Sequence, residues 1–200
     1  AAQGDSTLLA AMHCKSPQAI GWEDERKRSA LHLASSCSKG AAAVDWLISV
    51  GAPVGGRDIK GRTALHLAAA GGYHWIAEKM IKASCHVDTT DFYNRTALML
   101  ACWHGSLKTV MTLLSLNADP FLRDRHLCCA LHIASWKGHS LIVSQLLAAA
   151  AASTPSSSAA TAPATPDLSY VDARDDGGGT GLHKACLNGH LRVARELLVC

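Results

Sequence analysis

Thr63-Ala64-Leu65-His66-Leu67-Ala68-Ala69-Ala70-Gly71-Gly72 is the stretch from which the rest of the chain can be read. Its central triplet returns as Ala30-Leu31-His32, Ala97-Leu98-Met99, Ala130-Leu131-His132 and Gly181-Leu182-His183. Taken in order, the five triplets are spaced by 34, 33, 33 and 51 residues. Self-similarity at a fixed period of this size identifies an array of repeated supersecondary units. The same grammar follows the triplets: a helix of small residues, a glycine turn, and a second helix that ends in an apolar pair. Gly72-Tyr73, Gly105-Ser106, Gly138-His139 and Gly189-His190 mark the turns, where glycine accepts a left-handed backbone and stops the first helix. Leu47-Ile48, Met80-Ile81, Leu113-Leu114, Leu146-Leu147 and Leu197-Leu198 close the second helices. Apolar residues three and four positions earlier, such as Val110 and Val143, complete a 3.6-residue stripe. Gly51-Ala52-Pro53 and Asn117-Ala118-Asp119-Pro120 then read as turns that end one unit and open a hairpin-like loop.

These residues resemble the ankyrin repeat, whose box reads T-P-L-H-x-A at a period of ~33 residues. Box, glycine turn, apolar pair and period agree over about residues 24–200. The resemblance implies an all-α solenoid of stacked helix-turn-helix repeats with hairpin-like loops. The expected divisions are a degenerate N-terminal cap or half repeat at 1–23, with a lone second helix over Ser6 to Cys14, then repeats at 24–57, 58–90, 91–123 and 124–174 and a truncated repeat at 175–200. The chain opens without methionine and stops at Cys200 within a helical pattern, which reads as an excised piece of something longer. Two departures from the family pattern stand out. The box proline is alanine or glycine throughout, and Cys129 replaces the fourth threonine, taking the hydroxyl out of that box. The loop asparagine of the family is replaced by Gly55, Asp88, Phe121 and Asp172, so asparagine hydroxylation is not expected.

The long spacing is explained by an alanine run, Ser-Thr-Pro-Ser-Ser-Ser and an Ala/Thr/Pro segment, an insertion at about 148–166 in the fourth repeat. Without large apolar groups it cannot offset the cost of ordering its backbone, so a disordered loop is expected there. The flanking alanines are strong helix formers able to prolong the preceding helix.

Composition narrows the function classes. Hydrophobic residues make up 48% of the chain and aromatic ones 5%, which suits closely packed short helices more than a sheet. The net charge of +3, from 19 basic and 16 acidic residues, is too mild for a nucleic-acid partner. No run approaches the ~20 apolar residues of a membrane span. The eight cysteines include no C-x-x-C pair, so reduced, structural thiols are expected in place of disulfides or zinc, with an intracellular and most simply cytoplasmic location. No nucleophile-and-base motif, phosphate loop or H-E-x-x-H is present, and no catalytic site, metal or cofactor is expected. The box histidines fall a whole repeat apart and are read as inter-repeat hydrogen-bonding groups.

In ankyrin repeats the hairpin tips and exposed faces of the first helices line a concave groove. Carried to this chain, that selects Lys60 and Arg62 with Ile59 in the second repeat, Phe92, Tyr93, Arg95, Trp103 and His104 in the third, and Arg125, His126, Trp136 and Lys137 in the fourth, with Arg26 and Arg28 at the first tip. Trp103 and Trp136 lie one period apart and should form a ladder on neighbouring repeats. Exposed tryptophan, tyrosine and arginine dominate binding energy at interfaces. The expectation is a monomeric interaction module or scaffold that binds a protein or peptide with apolar anchors and acidic residues. The alternatives are a targeting or regulatory segment of a larger enzyme or channel, and a rigid spacer without a groove ligand.

Overall fold

The computed structural model describes residues 21–153 and 168–199. The expected lone helix over Ser6 to Cys14 and most of the expected disordered insertion lie outside these residues. The described helices alternate as first and second members of successive pairs: α1 (Ala30–Ser35) with α2 (Ala41–Ser49), α3 (Ala64–Ala70) with α4 (His74–Lys82), α5 (Ala97–His104) with α6 (Leu107–Ser115), and α7 (Ala130–Lys137) with α8 (Ser140–Ser153). A short α9 (Leu168–Val171) precedes the last pair, α10 (Gly181–Leu187) and α11 (Leu191–Val199). First helices stack on first helices and second on second, so the molecule is an all-α solenoid. Among the described residues the only strand-like pairings are isolated bridges, Glu23 with Ser29 and Thr90 with Thr96, at the bases of hairpin tips.

The box starts each first helix. Ser29, Thr63, Thr96, Cys129 and Thr180 hold extended backbone at the N-cap positions, where a helix leaves N–H groups without intrahelical partners. At four of the five the imidazole three residues on supplies a reciprocal partner, as where Thr63 N–H donates to His66 Nδ1 at 3.1 Å; at Thr96 the hydroxyl instead accepts from Met99 N–H at 3.3 Å. With Nδ1 accepting, Nε2 carries the proton and donates across the repeat boundary, from His66 to the Arg95 carbonyl at 3.0 Å. His32 reaches the Arg62 carbonyl at 3.0 Å and His132 the Gly179 carbonyl at 3.2 Å in the same way. The loss of the hydroxyl at Cys129 leaves this geometry intact, because its N–H still donates to His132 Nδ1 at 3.3 Å and Sγ lies 3.0 Å from the same nitrogen.

Alanine allows the close stacking. Ala64, Ala68, Ala97, Ala101, Ala130 and Ala134 are fully buried between first helices, while Leu65, Leu98, Leu131, Val110, Leu113, Val143 and Leu146 fill the layer toward the second helices. The alanine run prolongs α8 to Ser153. Beyond the insertion, buried Tyr170 packs edge to face on Phe121 with ring centroids 4.9 Å apart, anchoring the returning chain to the preceding loop.

The hairpin tips are linked by one backbone bond per boundary. Ile59, Phe92, Arg125 and Asp176 donate their N–H groups to the carbonyls of Arg26, Lys60, Tyr93 and His126, each at 3.0 Å. This runs the tips into a continuous edge beside the exposed faces of the first helices.

Candidate functional site

Each tip turns about an aspartate. Asp58 Oδ1 accepts from the N–H groups of Lys60 and Arg62 at 2.8 and 2.9 Å, and Oδ2 takes the Arg62 guanidinium through Nε and Nη2 at 2.9 and 2.7 Å. Asp91 repeats the arrangement with Tyr93 and Arg95, and Asp24 with Arg26 and Arg28. The fourth residue of each tip has a positive φ: Lys27, Gly61, Asn94, Leu127 and Gly178. Burial pushes the Asp58 and Asp91 carboxyls up, but the arginine beside each and the backbone donors outweigh it and hold both below the ordinary carboxylate range.

Arg62 and Arg95 were selected as ligand-binding groups; each is held by the aspartate four residues before it, and Arg28 likewise by Asp24. The other selected residues divide between tip edge and groove. Lys60 and Phe92 are exposed on the tip edge beside Ile59, and Phe92 covers Gly61, where a Cβ would stand 2.5 Å from its ring. Tyr93 presents its ring to two cations, the guanidinium carbons of Arg95 and Arg125 lying 4.8 and 5.7 Å from its centroid. His104 is exposed at the end of α5.

Trp103 and Trp136 do meet as neighbours. Their rings stand edge to face, 5.3 Å apart with an interplanar angle of 83°, and remain 39% and 45% exposed. The Lys137 ammonium lies 3.9 Å from the Trp103 ring centroid and 5.5 Å from that of Trp136, a cation–π arrangement. Below the tryptophans, Met99, Leu100 and Ile133 form an apolar floor, and the space between floor and tips is a groove of about 440 Å³ that Tyr93, Arg95 and His126 also line.

The far wall of the groove was not anticipated. Asp124, Asp175, Asp176 and Lys184 line it, so the fifth repeat contributes charge to the groove. Lys184 pairs with Asp175, whose side chain is almost fully buried, and His126 Nδ1 lies 3.1 Å from Asp176 Oδ2. The hydrogen bond from Lys184 holds the Asp175 carboxyl below the usual range, with the neighbouring backbone donors adding to it. Lys184 was findable by alignment of the boxes, since it stands where the other repeats carry Leu33, Leu67, Leu100 and Ile133.

Among the described residues no group of three or more His, Cys, Asp or Glu is placed to hold a metal ion. The described cysteines, Cys37, Cys85, Cys102, Cys128, Cys129 and Cys186, are free thiols. No described helix is long and apolar enough to cross a membrane.

Stacked helix pairs, a tip edge and a half-exposed aromatic pair over a groove define a helical repeat solenoid. The sequence matches the ankyrin-repeat family model in three copies, over residues 1–91, 31–124 and 79–158. The chain belongs to the ankyrin-repeat family. It is similar to the probable E3 ubiquitin-protein ligase XBOS32 of Oryza sativa subsp. japonica, with 32% identity over 157 residues, covering 72% of this chain and 31% of that protein. The E3 ubiquitin-protein ligase XBAT32 of Arabidopsis thaliana is 32% identical over 144 residues, 67% of this chain and 28% of the relative. NF-kappa-B inhibitor alpha of Gallus gallus is 44% identical over 52 residues, 26% of this chain and 16% of that protein. The chain thus spans about a third of the length of the ligases it matches. Ankyrin repeats are protein-interaction modules, and the class of this chain follows from that.

Proposed function

We propose that this chain binds a protein or peptide partner in the groove of its third to fifth repeats, with an apolar or aromatic anchor of the partner seated on Trp103 and Trp136. The observation that carries the reading is the tryptophan pair itself: two large rings kept about 40% exposed over an apolar floor, where burial by a partner would remove apolar surface from water. Acidic groups of the partner would meet Lys60 and Arg125, exposed at the tips, and Lys137 beside the Trp103 ring. Arg62 and Arg95 act mainly by shaping the tips that flank it. The setting is intracellular, and the chain works as a monomer.

The test is affinity capture with the chain, with a Trp103→Ala/Trp136→Ala variant and with a Met111→Ala control on the opposite face, after circular dichroism shows equal helix content. Partners held by the chain and the control but lost from the double variant support the groove. Identical partners on all three overturn it in favour of a rigid spacer or another surface. A second reading is that the array serves as the partner-selecting segment of a larger enzyme, supported by the ligases that match over 67% or more of this chain while extending far beyond it.

A further inference from the structure

The repeat grammar of the tips contains its own template for holding arginine. In the first three repeats the tip aspartate gives Oδ1 to the backbone and Oδ2 to the arginine four residues on, with contacts of 2.7 to 3.0 Å at Asp58 and Asp91. In the fourth repeat Asp124 keeps the first half of the pattern, Oδ1 accepting from His126 N–H at 2.8 Å and Cys128 N–H at 2.9 Å. The arginine is gone, because Cys128 occupies its position. No guanidinium reaches Asp124 Oδ2 among the described residues. The fifth repeat lost its arginine too, to Gly179, but there Lys184 supplies the cation to Asp175.

The break falls at the groove. Met99 stands where the first, second and fourth boxes have the histidine that clasps the next repeat's tip, so the third repeat sends no imidazole to the Cys128 carbonyl. Both departures, Met99 and Cys128, line the groove together with Asp124, Tyr93 and Trp136. Burial and the carboxylates of Asp124, Asp175 and Asp176 push the Cys128 thiol up to about 12, consistent with negative potential at the place where the other repeats put a guanidinium.

We infer that an arginine of the bound partner occupies the position left by the missing tip arginine, its guanidinium donating to Asp124 Oδ2 while the rest of the segment covers the tryptophan pair. This rests on the groove reading given above and adds to it the chemistry of one contact. Charge complementarity selects a cation there. The planar fork selects arginine over lysine, because a guanidinium donates two parallel bonds to a carboxylate, whereas an ammonium is a point charge.

The decisive variant is Cys128→Arg, which restores the tip arginine in cis and should fold at least as well as the parent, since three repeats already carry that residue. A phage-displayed library of random twelve-residue peptides is selected on the chain, on Cys128→Arg, on Asp124→Asn and on Trp103→Ala/Trp136→Ala. The expected result is peptides with a fixed arginine near an aromatic or apolar residue, enriched on the chain and lost from all three variants, with arginine-to-lysine replacement in a selected peptide weakening binding by roughly tenfold. Arginine-free peptides that need the tryptophans would overturn the arginine contact and leave the groove reading standing. Peptides that bind all variants equally, or no enrichment on the chain, would overturn both.

Discussion

His66 shows how one side chain joins two repeats. Its ring accepts from the Thr63 N–H and donates to the Arg95 carbonyl while fully buried, so truncation leaves a donor and an acceptor unmet. His66→Ala is expected to cost about 2–4 kcal/mol, read as a lower urea midpoint with an unchanged slope. Burial is also the leading cause that depresses the ring's pKa, as it is for His132 and His139, against the raising effect of the carbonyl partners. Between the folded values and the unfolded value of about 6.5 the unfolded chain binds more protons, so stability rises with pH in that window. Urea unfolding at pH 7 and pH 5.5 should therefore show the lower stability at pH 5.5, and His66→Ala should shrink the difference. The depressed carboxyls of Asp58 and Asp91 act lower on the scale: their contribution is present above about pH 4 and lost as pH falls through their folded values. At the same scale, the pairing of Arg62 and Arg95 with the aspartate four positions earlier in each tip was legible in the spacing of the sequence.

At the level of the element, the glycines that end the first helices serve two purposes. Gly138 has φ +76° and its missing Cβ makes room for His190, whose Nδ1 would stand 2.6 Å from a Cβ there. His190 in turn reaches the Trp136 carbonyl at 3.0 Å. Gly189 has φ +72° but nothing within 4 Å of the same point. Gly189→Ala should therefore report only the left-handed strain, about 1–2 kcal/mol, and Gly138→Ala that strain plus displacement of His190. A larger loss of thermal stability for Gly138→Ala is the expected outcome, and equal losses would mean that His190 moves aside freely. The glycine turn was plain in the sequence because left-handed backbone is a local requirement. Its second use is a contact across the insertion and could not be read from spacing.

Across the whole molecule, each repeat is held mainly by its neighbours. Ahead of the fifth repeat, Tyr170 buries its ring against Phe121. Tyr170→Ala removes a buried aromatic side chain and should cost about 3–5 kcal/mol. Hydrogen exchange should rise first in α10 and α11, with α3 to α6 little changed. A uniform rise along the chain would instead mean that the array unfolds as one cooperative unit. The groove belongs to the same scale, since its floor comes from α5 and α7 and its acidic wall from tips of the fourth and fifth repeats.

What the sequence determined by itself is the periodic part: helix pairs, box, turn and stripe, together with the ladder of Trp103 and Trp136, all set by interactions within a repeat or between equivalent positions one period apart. Such positions stack whenever the units stack, so counting is enough. Tertiary structure alone decided what faces the ladder. Asp175 and Lys184 pair within the last repeat, and His126 meets Asp176 across 50 residues. These outcomes depend on how the chain returns after the insertion and on which side chain fills a position in space, and an electrostatic partner is chosen by distance in space, not in sequence.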